Sequence, residues 1–390
     1  MSDSPQRERG IHTRLAHSGY NPHEFHGFVN PPVVHASTVL FPDAHTMATR
    51  NQKYTYGTRG TPTTDALNQA MNELEGAAGS LTVPTGLAAV TVPLLAFLSS
   101  GDHLLVTDAV YFPTRHFCDN MLSRMGVEVE YYDPLIGAGL SRLMKPNTKV
   151  VFTESPGSNT FEMQDIPAIA DAAHAAGAIV LMDNSWATPL YFRALDFGVD
   201  VSIHAATKYI AGHSDILAGT ISANEAAWER LHEAYLQLGC CPGPDDVYNT
   251  LRGLRTLGVR LEHHRRNALD IAQWLEGRPG VAQVLHPALE SFAGHDIWKR
   301  DFSGSSGLFS IVLDGGGTEK AHAFLDALEI FGMGYSWGGY DSLAVHSHLA
   351  DRVASRTDYS GPVMRLQIGL EDVEDLKADI ERGLAAAAKI

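Results

Sequence analysis

Between residues 61 and 250, short apolar runs alternate with longer stretches of helical period. The runs at 103–107 (HLLVT), 127–132 (VEVEYY), 149–154 (KVVFTE), 178–183 (AIVLMD) and 200–204 (DVSIH) read as strands, with a further short apolar run at 80–84. Several are apolar on both faces, as strands of a buried parallel sheet are. Residues 165–177 form a predicted helix. Asp165 is placed to cap its start, Pro167 lies in the first turn and Gly177 supplies a left-handed stop. This alternation is a βαβ pattern and predicts an α/β sheet covered by helices.

The pattern changes toward both ends. Residues 1–60 include HGFVNPPVVHASTVLF, with paired prolines and no sustained helical period. They read as an irregular arm packed on a neighbouring subunit. From about residue 245, Val247, Leu251, Leu254, Gly258 and Leu261 share one face of a long connecting helix. Its EHHRR run, 262–266, reads as the wet side. Beyond it, GLFSIVL, another strand–helix region and a final helix from about Val373 read as a smaller α+β unit. The expected organisation is an arm (1–60), an α/β domain (61–250) and a C-terminal α+β domain (251–390).

Composition narrows the class. The 390 residues carry 29 basic and 45 acidic side chains, for a net charge of -16, which argues against a nucleic-acid partner. Cys118, Cys240 and Cys241 are sparse and odd in number, a pattern that fits a reducing compartment. MSDSPQRERG lacks the apolar centre of a secretory signal. The apolar run 87–98 contains Pro93 and is too short to cross a bilayer. The expectation is a cytoplasmic protein without a membrane partner.

Candidate chemistry gathers where strands end, because open α/β sheets bind ligands beyond the carboxyl ends of their strands. Asp183 closes one predicted strand, and Lys208 follows the next. An aspartate and a lysine at neighbouring strand ends suit pyridoxal phosphate, which binds a lysine as a Schiff base and needs an acid beside its ring nitrogen. The same pair also fits a turn-capping aspartate and a solvated lysine. Gly86 and Leu87, in PTGLAAV, offer backbone N–H groups to a phosphate at a helix start, or simply form a tight turn. Tyr111 follows another strand and is suited to stacking on a flat ring or to filling the core. Arg365 stands in an apolar strand and calls for an anion, either a bound carboxylate or a structural ion-pair partner. The 19 histidines include an HxH at His346 and His348 but no HExxH and no zinc-type Cys/His spacing, so no metal is expected.

Together the segments YGTRGTPT (56–63), ESPGS (154–158), MDNSWA (182–187), AATKYIAGHSD (205–215), RGLRTLGVRL (252–261), GSSGLFS (304–310), YSWGGY (335–340) and RLQIGLEDVEDL (365–376) resemble the Cys/Met-metabolism family of pyridoxal-phosphate enzymes over nearly the whole chain. The resemblance implies an aspartate-aminotransferase-like fold (fold type I) and a homotetramer built from dimers that share active sites. By this resemblance Lys208 matches the Schiff-base lysine and Asp183 the pyridinium partner. Tyr111 matches the stacking aromatic, with a possible part in proton transfer. Gly86, Leu87 and Thr207 match phosphate-binding positions, and Tyr56 matches a residue lent by the neighbouring subunit. Arg365, Ser336 and Trp337 match the grip on the substrate's α-carboxylate.

Three departures stand out. Where relatives commonly have Tyr-x-Arg, Tyr56 is followed by Gly57, Thr58 and only then Arg59, so either Thr58 or Arg59 takes the arginine's place. Ala205 occupies a position that is serine in many relatives. Tyr235 falls one position from an active-site tyrosine and receives no role. The YSWGGY form resembles relatives that act at Cβ, whereas γ-acting ones tend to have Glu-Ser-Leu-Gly-Gly. The implied activity is a carbon–sulfur lyase that cleaves L-cystathionine to homocysteine, pyruvate and ammonia, in methionine biosynthesis. The alternatives are γ-elimination or γ-replacement, a broader cysteine-S-conjugate β-lyase, or a non-catalytic relative that binds the cofactor.

Overall fold

The computed structural model describes residues 9–355 and 358–390. Its larger sheet has seven strands: β1 (Gly79–Val83), β2 (His103–Thr107), β3 (Glu128–Tyr132), β4 (Thr148–Glu154), β5 (Ile179–Asp183), β6 (Val201–His204) and β7 (Gly219–Ala223). Their spatial order is β1-β7-β6-β5-β4-β2-β3. Neighbours from β6 to β3 are parallel, while β7 runs antiparallel to both β6 and β1. Two reversals leave β1 pointing the same way as β6. The carboxyl ends of β1, β4, β5 and β6 therefore meet at one edge of the sheet.

β7 is the strand that the hydrophobic pattern misses. GTISA alternates small polar residues with one isoleucine, yet all five positions are buried. One of its two hydroxyls is paired: Ser222 and Ser80 join their hydroxyls across the β1–β7 ladder at 2.7 Å.

The smaller sheet is antiparallel, with β8 (Val281–Leu285), β9 (Leu308–Leu313), β10 (Leu343–Ser347) and β11 (Val363–Gln367) in the order β10-β11-β9-β8. The helices Thr318–Asp326 and Val373–Ala387 bury Phe324, Leu376 and Ile380 in the same core as Phe309, Val180 and Met182. One core thus joins the two sheets.

The helix Pro244–Leu275 spans both regions in 32 residues and runs unbroken across position 250. Its first half packs Val247, Leu251, Leu254 and Leu261 against Ala206, Tyr209 and Ile210. Its second half enters the joint core through Ala268, Ile271 and Leu275. Close approach is possible because Gly253 lacks a side chain; a Cβ there would lie 2.2 Å from the Ala211 carbonyl oxygen. Arg260 then donates to the carbonyls of Tyr209 at 2.8 Å and Gly253 at 2.7 Å, fixing the turn that follows Lys208.

Two expectations need correction. The EHHRR run is not all wet, since His264 is fully buried and its Nδ1 pairs with the Ile368 carbonyl at 2.7 Å. The arm is not wholly irregular: it contains the helices Ile11–His17 and Ala44–Thr49. The first of these buries Leu15 against this chain's own long helix, and Arg255 caps its end through the carbonyls of Leu15 and Ser18.

One further tie crosses the molecule. Asp108, just after β2, accepts from the backbone N–H groups of Val353, Ala354 and Ser355 at 3.0, 2.8 and 2.6 Å and from Arg115 at 2.6 Å. Those bonds and the Arg115 charge hold the Asp108 carboxyl below its usual range although burial opposes them.

Candidate active site

A cavity of about 470 Å³ opens at the shared strand edge. It brings together Gly86, Leu87, Tyr111, Asp183, Thr207, Lys208, Ser336, Trp337 and Arg365. These are nine of the eleven residues singled out in the sequence. The structure leaves out Tyr56 and Thr58, which border a separate cavity of about 520 Å³ with Arg59, His232 and Tyr235. The Tyr235 hydroxyl donates to the Thr82 carbonyl at 3.2 Å there.

Lys208 sits in the turn after β6. Its Nζ donates to Ser336 Oγ at 2.6 Å and lies 5.1 Å from the centre of the Trp337 ring. Burial, reinforced by the Arg365 charge and opposed by Asp183, lowers its pKa to about 8. A lysine so tuned has a substantial neutral fraction near pH 7–8, which a nucleophile or base requires. Ser336 holds its position with a φ of +88°, in the left-handed region. Gly338 has a φ of +83°, and a Cβ on it would lie 2.8 Å from the Tyr209 nitrogen. The loop 335–340 therefore lies directly on the lysine turn.

Asp183 ends β5 beside that lysine. Burial pushes its carboxyl up, while hydrogen bonds from Ser185 and the charges of His204 and Lys208 pull it down. The Ser185 N–H donates to Asp183 Oδ1 at 2.9 Å, and Ser185 Oγ accepts from the Ala205 N–H at 2.7 Å. Ser185 thus ties the two strand ends together.

At one end of the cavity the helix Gly86–Phe97 begins. Thr85 caps it by accepting from Ala88 N–H at 3.0 Å. Gly86 and Leu87 occupy its first turn, where N–H groups have no intrahelical acceptor and the helix dipole favours an anion. A Cβ on Gly86 would stand 2.6 Å from the Ala205 Cβ, so the helix start and the lysine turn approach as closely as glycine permits. The Thr207 hydroxyl is already engaged: it donates to the Ala218 carbonyl at 3.1 Å and accepts from the Ala218 N–H at 3.0 Å.

Across the cavity, Arg365 projects from β11. Burial lowers its pKa, and it donates to the Ser336 carbonyl across a long 3.4 Å. Among the described residues no carboxylate forms an ion pair with it. A part-buried guanidinium without an anion points to a ligand that brings one.

Tyr111 is 43% exposed over the cavity. Burial of part of the ring, with Glu154 and Asp183 nearby, raises its pKa, so the phenol keeps its proton at neutral pH. Its backbone N–H donates to Glu154 Oε2 at 2.8 Å. Glu154 and Ser185 line the cavity and were not singled out in the sequence. Both lay within quoted motifs, but neither has a spacing that separates a cavity group from a strand-end cap. Burial and the Asp183 charge push the Glu154 carboxyl well above its usual range. His213, near Lys208, is spent locally, its Nδ1 lying 2.6 Å from the Ala211 carbonyl. Among the described residues no group of three or more His, Cys, Asp or Glu side chains could hold a metal ion.

An α/β sheet edge that sets a depressed lysine beside a half-buried aspartate, the free first N–H groups of a helix and an arginine without a carboxylate partner defines an amino-acid enzyme of the Schiff-base type. The family pattern described as Cys/Met metabolism PLP-dependent enzyme matches residues 12–385, and the chain belongs to that family. Cystathionine beta-lyase MetC of Escherichia coli is 47% identical over 97% of this chain and 99% of its own length. An L-alanine/L-glutamate racemase of Wolbachia pipientis is 39% identical over 95% of this chain and 96% of its own. The crystal structure of cystathionine gamma synthase from Xanthomonas oryzae pv. oryzae, in complex with aminoacrylate and cysteine, superposes with a TM-score of 0.91 at 32% identity, covering 98% of this chain and 99% of that one.

The family's cofactor is pyridoxal 5'-phosphate. The residues present fit it. Gly86 opens a side-chain-free cradle at a helix start, Lys208 is tuned toward its neutral form, and Asp183 is a half-buried acid at the neighbouring strand end.

Proposed function

We propose that this chain is a carbon–sulfur lyase that cleaves L-cystathionine by β-elimination into homocysteine, pyruvate and ammonia. The observation that carries the reading is the part-buried Arg365, without a carboxylate partner, on the same cavity as Lys208 and Asp183. A free cation held there suits an amino acid's α-carboxylate, and the relatives named cystathionine beta-lyase support the choice of substrate.

In this reading the N–H groups of Gly86 and Leu87 hold the cofactor's phosphate, Asp183 pairs with its ring nitrogen and Tyr111 covers the ring. When bound, pyridoxal phosphate supplies a conjugated ring that accepts the electron pair left at Cα. Arg365, with Ser336 and Trp337, grips the α-carboxylate and fixes which Cα bond stands perpendicular to the ring. Lys208, neutral once it is displaced, takes the Cα proton through Nζ. Ser336 Oγ, 2.6 Å away, steers that amine. The bond from Cβ to sulfur then breaks, the thiol leaves with the proton that Lys208 took, and water converts the remaining three-carbon fragment to pyruvate and ammonia.

Tyr56, with Thr58 or Arg59, completes the phosphate site from a neighbouring subunit, in a homotetramer made of such dimers. Two observations support this: these residues border a cavity of their own, and the arm exposes Phe28, Val29 and Leu40. A cytoplasmic location accords with three unpaired cysteines. No helix among the described residues is long and apolar enough to cross a membrane.

The test is a visible spectrum of the purified protein followed by cystathionine addition and product identification. Wild type is expected to be yellow and to release homocysteine with pyruvate. Lys208→Ala is expected to lose both the protein-linked absorbance and turnover. Cysteine with 2-oxobutyrate would mean γ-cleavage instead, and an unaltered spectrum and rate in Lys208→Ala would sink the site.

A further inference from the structure

Glu154 lines the cavity, and nothing in the mechanism above uses it. It closes β4 directly opposite Asp183 in the β4–β5 ladder, and both residues are half-buried. Two carboxyls side by side at such an edge repel each other. Among the described residues no basic side chain pairs with Glu154. As mere packing the residue is a poor choice, because an apolar side chain of that size carries no such penalty. Among the described residues its side chain makes one hydrogen bond, and that bond reaches into the site. Oε2 accepts from the backbone N–H of Tyr111 at 2.8 Å.

Tyr111 is a residue for which such a tie matters. It precedes the helix Phe112–Phe117, and its carbonyl accepts from the N–H groups of Thr114 and Arg115 at 3.0 and 3.2 Å. Its ring stands partly exposed over the cavity. Among the described residues no hydrogen bond holds its hydroxyl and no aromatic ring stacks on it. The place of the ring is therefore set through the backbone. That backbone is stitched to the exit of β4 at two points. One is the bond to Glu154. The other is the Ser158 N–H, which donates to the Ala109 carbonyl at 2.7 Å. Gly157 permits the second approach, since a Cβ on it would lie 2.6 Å from the Ala109 Cβ.

We propose that Glu154 is a positioning residue for Tyr111: by holding the Tyr111 N–H it fixes the tyrosine ring over the cofactor, and so sets how tightly the cofactor is held and how its ring is aligned for the reaction. The role needs an acceptor oxygen and not a charge. It rests on the reading of Tyr111 as the residue that covers the cofactor.

Two holoenzyme variants test it. Glu154→Leu removes the acceptor at similar size, and Glu154→Gln keeps a carbonyl oxygen for the same N–H. In hydrogen exchange read by mass spectrometry, the segment that holds Tyr111 is expected to exchange about tenfold faster in Glu154→Leu and near the wild-type rate in Glu154→Gln. The Kd for pyridoxal phosphate, followed by visible absorbance, should rise about tenfold in Glu154→Leu, and kcat should fall about tenfold. Glu154→Gln should recover most of both losses. In a Tyr111→Ala background, Glu154→Leu should change Kd and kcat by no more than about twofold, because the ring it positions is gone. Losses that repeat in full in that background, or a Glu154→Gln as impaired as Glu154→Leu, overturn the proposal. If Glu154→Leu does not fold, Gly157→Ala takes its place in the Tyr111→Ala comparison, because it pushes on the same turn through Ala109. Tyr111→Ala with wild-type Kd and kcat would instead overturn the underlying reading of Tyr111, a result separate from either of those.

Discussion

Lys208 is held in a state that costs the fold something. Its pKa of about 8, against an ordinary 10.5, follows from burial first and the neighbouring Arg365 second. The folded protein therefore resists a proton that the unfolded chain accepts. Below pH 8 the lysine is charged in both states and the full penalty applies. Between about pH 8 and 10.5 the folded form loses the proton first, and the penalty fades. Cofactor-free Lys208→Met is thus expected to melt above cofactor-free wild type at pH 7, with the gap closing as pH rises through that window. Paired melting curves across the range check it; a gap independent of pH would mean that packing, not charge, separates the two. The residue itself stood out in the sequence because it follows a strand and has an acid at the neighbouring strand end. Its depressed pKa was not legible, since that depends on Arg365, 157 positions on by sequence number, and on the burial of both groups.

Among the elements, the parallel strands were the most legible. Runs such as AIVLMD and HLLVT are apolar on both faces because helices cover both sides of the sheet. β7 escaped notice because its buried side chains are small, with Ser222 paired to Ser80, so the run lacks the large apolar residues that mark a strand. The loop 335–340 was recognised only by resemblance. Its physical content is a pair of left-handed residues, Ser336 and Gly338, that press it onto the lysine turn. Gly338→Ala places a Cβ 2.8 Å from a backbone nitrogen at a φ of +83°. The expected outcome is a loss of about 1–3 kcal/mol, the usual cost of such strain. A weaker hold on the cofactor should accompany it, because the loop carries the Lys208 partner Ser336. Denaturant unfolding and a cofactor titration measure the two effects.

At the scale of the whole molecule, the site joins distant parts of one chain and, in the proposed assembly, parts of two. The single chain places Tyr56 and Thr58 on a cavity separate from that of Lys208. If a partner lends them, a Lys208→Ala chain and a Tyr56→Ala chain are each impaired, but a mixed dimer contains one site with neither change. Refolding the two inactive proteins together is expected to recover up to about a quarter of wild-type activity, by random pairing of subunits in symmetric dimers. Recovery of none would show that Tyr56 serves its own chain or no site. Motif spacing alone is silent on which chain a residue serves, so the expectation that a neighbour lends Tyr56 came only from the family resemblance.

The ties that finish the cavity also set a timetable. Lys208 meets Ser336 across 128 positions, and Asp108 meets Val353 across 245. On the ribosome the large sheet can form while the closing pieces are still unmade, and long-range contacts of this kind arise late and slowly. The nascent chain thus passes through a stage in which the lysine turn exists without its lid. During that interval its amine faces solvent in its ordinary, mostly protonated state. The tuned lysine is a property of the finished protein, acquired only when the last strand, β11, brings Arg365 into place.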